Sequence, residues 1–172
     1  MMALIIIIAG VVVFALGMLL MNPSRKELKA LGTNIIAFEL AGTTEKTQRI
    51  LTVWKEPGRR AARQNIHADF VFIPGYAAIL FGLAWAPANW LGSHTWHWAG
   101  GVSRVVAVLG IVAGAFDVVE DVYLLRVLRS TDTSGIQPAA TWARRAAIAK
   151  FALILVVLIW FLMFAAPARL VG

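Results

Sequence analysis

Cysteine is absent from this 172-residue chain, which excludes disulfides, thiolate metal sites and thiol catalysis and leaves the redox compartment unread. Charge is scarce: Asp, Glu, Lys and Arg make up 15 % of the residues, against about a quarter in soluble globular domains. Acids are scarcer still, with nine Asp and Glu against sixteen Lys and Arg. There is no phosphate-cradling glycine loop, dinucleotide fingerprint, nucleophile elbow, haem-attachment motif or internal repeat. Apolar residues fill the space, at 60 % of the chain and a mean hydropathy of +0.76. That composition belongs to an integral membrane protein. Each crossing of a ~30 Å hydrocarbon core takes about 20 apolar residues, so the chain has room for four spans and little else. The expected fold is all-α, a four-transmembrane-helix bundle forming one membrane domain over residues 1–172, with amphipathic interfacial helices on the cytoplasmic side.

The spans are expected at residues 2–21, 70–91, 101–128 and 148–166. The first carries its basic flank downstream, at Arg25 and Lys26, and lacks the small-residue cleavage site of a secretory signal, so it reads as a retained helix. Pro74-Gly75 inside the second predicts a kink over residues 70–76. Lys and Arg are concentrated between spans one and two and between spans three and four, while the turn from Gly92 to Gly100 has none. By the positive-inside rule both basic segments face the cytosol and both chain ends lie outside. Trp85, Trp90, Trp96 and Trp98 mark the opposite boundary. The net charge of +7 therefore suits anionic lipid headgroups on the cytoplasmic face, and nothing points to nucleic acid.

Between spans one and two, Ser24-Arg25-Lys26-Glu27 has the form of a capping box, and Leu28, Leu31, Ile35 and Phe38 follow at helical spacing, predicting an interfacial helix over 24–41. A second, over 44–56, starts at Thr44 and ends at Pro57-Gly58. Glu39 is placed on the solvated edge of the first, the alternative being an inward turn to join the acids described next. His67 lies on the approach to span two.

The third span holds Asp117, Glu120 and Asp121 in an otherwise apolar helix. A carboxylate at the bilayer centre costs roughly 3 kcal/mol on insertion scales, so such residues normally face protein or a hydrated cavity. At ~100° per residue Ser103, Ala107, Gly110, Gly114, Asp117 and Asp121 share one stripe, with Glu120 on its flank. Gly110 and Gly114 form a small-x-x-x-small pair that points this stripe at another helix. At ~1.5 Å per residue Asp121 lies about 7 Å and Asp117 about 13 Å beneath Arg126. Span two brings Asp69 and Tyr76 to the same depth on one face, and Lys150 at the start of span four is the nearest cation.

Carboxylates this close in a low dielectric cannot all be ionised without counter-charge, which suits exchange of a proton or binding of a cation. The expected site has Asp117 and Asp121 as primary groups, Glu120 and Asp69 as supporting acids and Tyr76 as hydrogen-bond donor, with Glu39, Lys150 and His67 as further candidates. Asp117, Glu120 and Asp121 are also weak candidates for holding a hard divalent cation, and no other cofactor is implied. Two readings stay beside this one. In the first, the acids pair with Lys150, Arg126 or Arg129 as interhelix glue in a structural or lipid-binding subunit; in the second, they serve a metal-dependent enzyme acting on lipid headgroups, although enzymatic activity is the less favoured expectation. Assembly with a second copy or another membrane protein stays open. His94 and His97 in the outer turn have metal-ligand spacing but no acid or thiol to complete a site, and are read as interfacial.

The ordered pattern Phe38-Glu39-Leu40, Ile50-Leu51, Trp54, Asp69-Phe70, Tyr76 and Gly114-Ala115-Phe116-Asp117-Val118-Val119-Glu120-Asp121 resembles a family of small, functionally uncharacterised bacterial four-helix integral membrane proteins. The resemblance covers most of the chain. It implies a bacterial inner-membrane protein and supplies no activity. Where that family's pattern often ends in Asn, this chain has Asp121.

Overall fold

The computed structural model of the protein describes residues 1–88, 91, 97–130 and 133–168. Five helices account for nearly all of them: α1 (Met2–Ala30), α2 (Ile35–Glu39), α3 (Thr44–Trp85), α4 (His97–Arg129) and α5 (Thr133–Ala168), with no strand among the described residues. Four of these are long and apolar enough to cross a membrane. The architecture is the all-α four-helix bundle that the hydropathy pattern predicts. Helix α3 is central, packing against α1, α4 and α5. In the most apolar stretch α1 and α5 bury 17 % of their residues, against 39 % for α3 and α4, so the first two are the more peripheral. Their outward faces carry Leu4, Ile8, Val12 and Leu19 on α1 and Leu155, Ile159 and Leu162 on α5, all exposed. So continuous an apolar surface needs lipid around it.

Most helix ends run beyond the predicted spans, for local reasons, whereas α3 stops at Trp85, short of the expected end at residue 91. The Ser24 hydroxyl does not cap a new helix; it donates to the Met21 carbonyl (2.8 Å) and accepts from Asn65 Nδ2 (3.0 Å), and α1 continues through Pro23 to Ala30. The helix predicted over 24–41 is thus divided. Gly32 takes a left-handed φ of 75°, Thr33 N–H bonds back to the Leu28 carbonyl (3.3 Å), and the Asn34 side chain caps α2 by accepting from Ala37 N–H (2.8 Å). Helix α3 bends where Pro57-Gly58 predicts an end: Lys55 has φ 48° and ψ −155°. Pro57 then lies in the first turn of the following segment, where a missing N–H costs little. Beyond the bend Ala61, Ala62, Asn65 and Ile66 are buried while Arg59 and Arg60 are not, so the basic run is itself an amphipathic helix leading into the membrane segment. At Pro74 the backbone dihedrals stay helical, and α3 continues through it to Trp85. Helix α5 likewise begins early, on a buried stripe of Ala139, Ala140, Ala143 and Ala147.

Two apolar clusters form the interior. One gathers Leu28, Phe38, Trp54, Ile66, Leu124 and Val127; the other gathers Ile73, Leu80, Ala84, Val106, Ala107 and Val157. In the second, Ser103 Oγ donates to the Ala84 carbonyl and accepts from Trp160 Nε1 (3.1 Å), tying α3, α4 and α5 together. Ser103→Ala leaves the part-buried Trp160 indole donor and the Ala84 carbonyl without this partner and is expected to lower stability by about 1 kcal/mol, read from thermal unfolding in detergent; an unchanged midpoint counts against that tie.

Candidate functional site

Between the two clusters, on every helix that contributes to both, lies a polar residue. Along α3 the first cluster ends at Ile66 and the second starts at Ile73, with Asp69 between them. Along α4 Ala107 belongs to one and Leu124 to the other, with Asp117, Glu120 and Asp121 between. Along α5 Lys150 falls between Ala143 and Val157. The structure therefore contains a polar layer with apolar packing on either side of it.

Asp117 is the hub. Its Oδ2 accepts from the Tyr76 hydroxyl (2.7 Å) and its Oδ1 from the Lys150 ammonium (2.5 Å), so one carboxylate links α3, α4 and α5. Lys150 Nζ is also 2.7 Å from Glu120 Oε2 and 3.9 Å from Glu39 Oε2. Glu120 is fully buried, and neither of its oxygens has a hydrogen bond; the contact of Oε2 with the ammonium is an ion pair outside hydrogen-bonding geometry. Asp121 is 2 % exposed and its Oδ2 has no hydrogen-bond partner. Asp69, half-buried, joins Asp117 and Asp121 so that one carboxylate oxygen from each lies within 4.8 Å of the others.

An open cavity of about 710 Å³ reaches this layer. Asp69, Asp117, Glu39 and Lys150 line its floor, Phe72 and Phe151 form apolar walls, and Arg25 and Lys29 of α1 supply cations. Glu39 is 8 % exposed, which corrects its expected place on a solvated edge: the turn at Gly32 and the Asn34 cap direct α2 so that this side chain enters the cavity. Burial pushes the Glu39 carboxyl above the ordinary carboxylate range; the Lys150 ammonium opposes that rise and the Asp117 carboxyl adds to it.

Other candidates fall elsewhere. His67 is exposed, with Nδ1 2.6 Å from the Arg63 carbonyl oxygen, and does not line the cavity. Arg126 lies over the Tyr123 ring, 5.0 Å from its centroid, and neither it nor Arg129 forms an ion pair with the acids of α4. The metal-ligand grouping expected at Asp117, Glu120 and Asp121 is instead Asp69, Asp117 and Asp121, because Glu120 on the flank is turned to Lys150. His94 and the side chain of His97 lie outside the described residues. Sequence reasoning missed Ser24, Asn65 and Arg25 as neighbours of the site; Asn65, polar on the buried face set by Ala61, Ala62 and Ile66, is the one with a readable signal. No protein-family model, characterised protein or solved structure matches this chain.

Proposed function

We propose that this protein binds or passes a proton or a cation through the acidic pocket, in the inner half of a bacterial inner membrane, with the basic segments cytoplasmic and both chain ends outside. The observation that carries the reading is charge balance. Glu39, Asp69, Asp117, Glu120 and Asp121 converge beside Lys150, the ammonium paired with three of them. Arg25 and Lys29 face the cavity without forming an ion pair with any of these acids, so in a low dielectric the set is balanced by bound protons or a further cation. The cavity gives either of them a route to Asp69 and Asp117.

A second reading, a structural subunit in which the acids join helices, is favoured by the Tyr76–Asp117–Lys150 chain alone. Liposome flux separates the two. Asp117→Asn removes the hub's charge, while Glu120 still neutralises Lys150. The variant is expected to remain helical and monodisperse while pH- or cation-driven flux falls to the level of protein-free vesicles. Flux equal to that of the parent protein rejects the pocket as the working site and leaves the structural reading.

A further inference from the structure

We infer that Asp69, Asp117 and Asp121 form a binding site for a hard divalent cation of the magnesium, calcium and manganese class, entered through the cavity. This deepens the proposed function and rests on its reading of the pocket. Three observations converge. One oxygen from each carboxylate lies within 4.8 Å of the other two, a spread from which small side-chain shifts bring three oxygens to ~2.1 to ~2.5 Å from a shared ion. Independently, Asp121 is 2 % exposed and its Oδ2 has no hydrogen-bond partner, where the large majority of buried side-chain polar atoms have one. Finally, Asp69 and Asp117 line the open cavity, so an ion can arrive with part of its water shell and keep it on the cavity side.

The chemistry of the donors selects the class. Carboxylate and water oxygens suit magnesium, calcium and manganese, while the described residues bring no imidazole or thiolate to the group that would favour zinc or copper. Lys150 does not take this place. Its ammonium is engaged by Asp117 Oδ1, Glu120 and Glu39. Two neighbouring subsites result, one holding the fixed ammonium between Glu39, Glu120 and Asp117, the other presenting Asp69, Asp121 and the same Asp117 to a mobile ion. Asp117 is shared, and it accepts at both oxygens while each retains a further lone pair.

Manganese(II) is the probe. With the full-length protein in detergent or nanodiscs, loss of the free-ion electron paramagnetic resonance signal is expected to report one saturable class of site, displaced by excess magnesium or calcium. Asp121→Asn should weaken binding by about tenfold or more, at least the effect of losing an outer-shell partner. Glu56→Gln, an exposed acid paired with Arg63 away from the cavity, should retain it. No saturable binding, undiminished binding in Asp121→Asn, or equal losses in Asp121→Asn and Glu56→Gln overturns the site. If Asp121→Asn does not fold, the half-buried Asp69→Asn decides in its place. Asp117-dependent proton flux without manganese binding rejects the divalent site and leaves the pocket; absence of both removes both.

Discussion

Lys150→Met is expected to destabilise the folded protein by about 3–5 kcal/mol, the cost of breaking a buried ion pair by removing one partner. Lys150 is 5 % exposed and its ammonium lies 2.5 Å from Asp117 and 2.7 Å from Glu120. Methionine fills similar space without the charge, leaving both buried carboxylates without their counter-charge. Adding Asp117→Asn and Glu120→Gln to the same chain removes the uncompensated charge and should recover most of the loss, since replacing a whole buried ionic group is often near neutral. The single and triple variants are compared by reversible unfolding in mixed micelles, where the recovery appears as strong non-additivity. A single variant within about 1 kcal/mol of the parent, or losses that simply add, contradicts an energetically coupled cluster.

Gly75→Leu is expected to detach α1 from α3, with a stability loss of about 3 kcal/mol or more, at the top of the overpacking range. A Cβ at Gly75 falls on the backbone of Phe14, and on the facing side a Cβ at Gly10 is only 2.9 Å from the Gly75 carbonyl oxygen. A Cβ at Gly17 is 2.6 Å from Phe72 Cα. Main chain meets main chain at these contacts, so no rotamer change relieves the overlap and the whole helix must shift. Gly82→Ala serves as the milder comparison, because its new methyl meets chiefly the Ile7 side chain, which can turn aside. Disulfide cross-linking between cysteines introduced on facing positions of α1 and α3 reads the separation directly, with no native cysteine to interfere. Efficient cross-linking in Gly75→Leu would show that the close approach is dispensable.

Long apolar runs made the four membrane helices legible, and the wheel of α4 correctly turned Gly110 and Gly114 toward a neighbour: Gly110 packs on Leu80 and Gly114 on Ala77 and Ile73, all of α3. The same stripe placed Asp117 opposite Tyr76. What hydropathy could not read were the helical extensions at 56–69 and 133–147, whose alanine and arginine content gives a weak apolar signal even though both residues favour helix. The pattern at Ser24 and Glu27 was overridden by tertiary contact, since the Ser24 hydroxyl is engaged by Met21 and Asn65. Glu39 was misplaced because a helix wheel run through Gly32 assumes continuity that its left-handed φ denies. Glu120 looked peripheral on a wheel drawn against one partner; α5 supplies a second, and its ammonium occupies that flank.

The Ser103–Trp160–Ala84 tie and the apolar cluster around it close the bundle on the far side of the polar layer from α2. Among the described residues the cavity is thus a blind vestibule, and a rigid bundle would let an ion visit and leave by the same mouth. On the proposed transport reading, net translocation requires the packing beyond the polar layer, the Ser103 tie included, to open on each cycle.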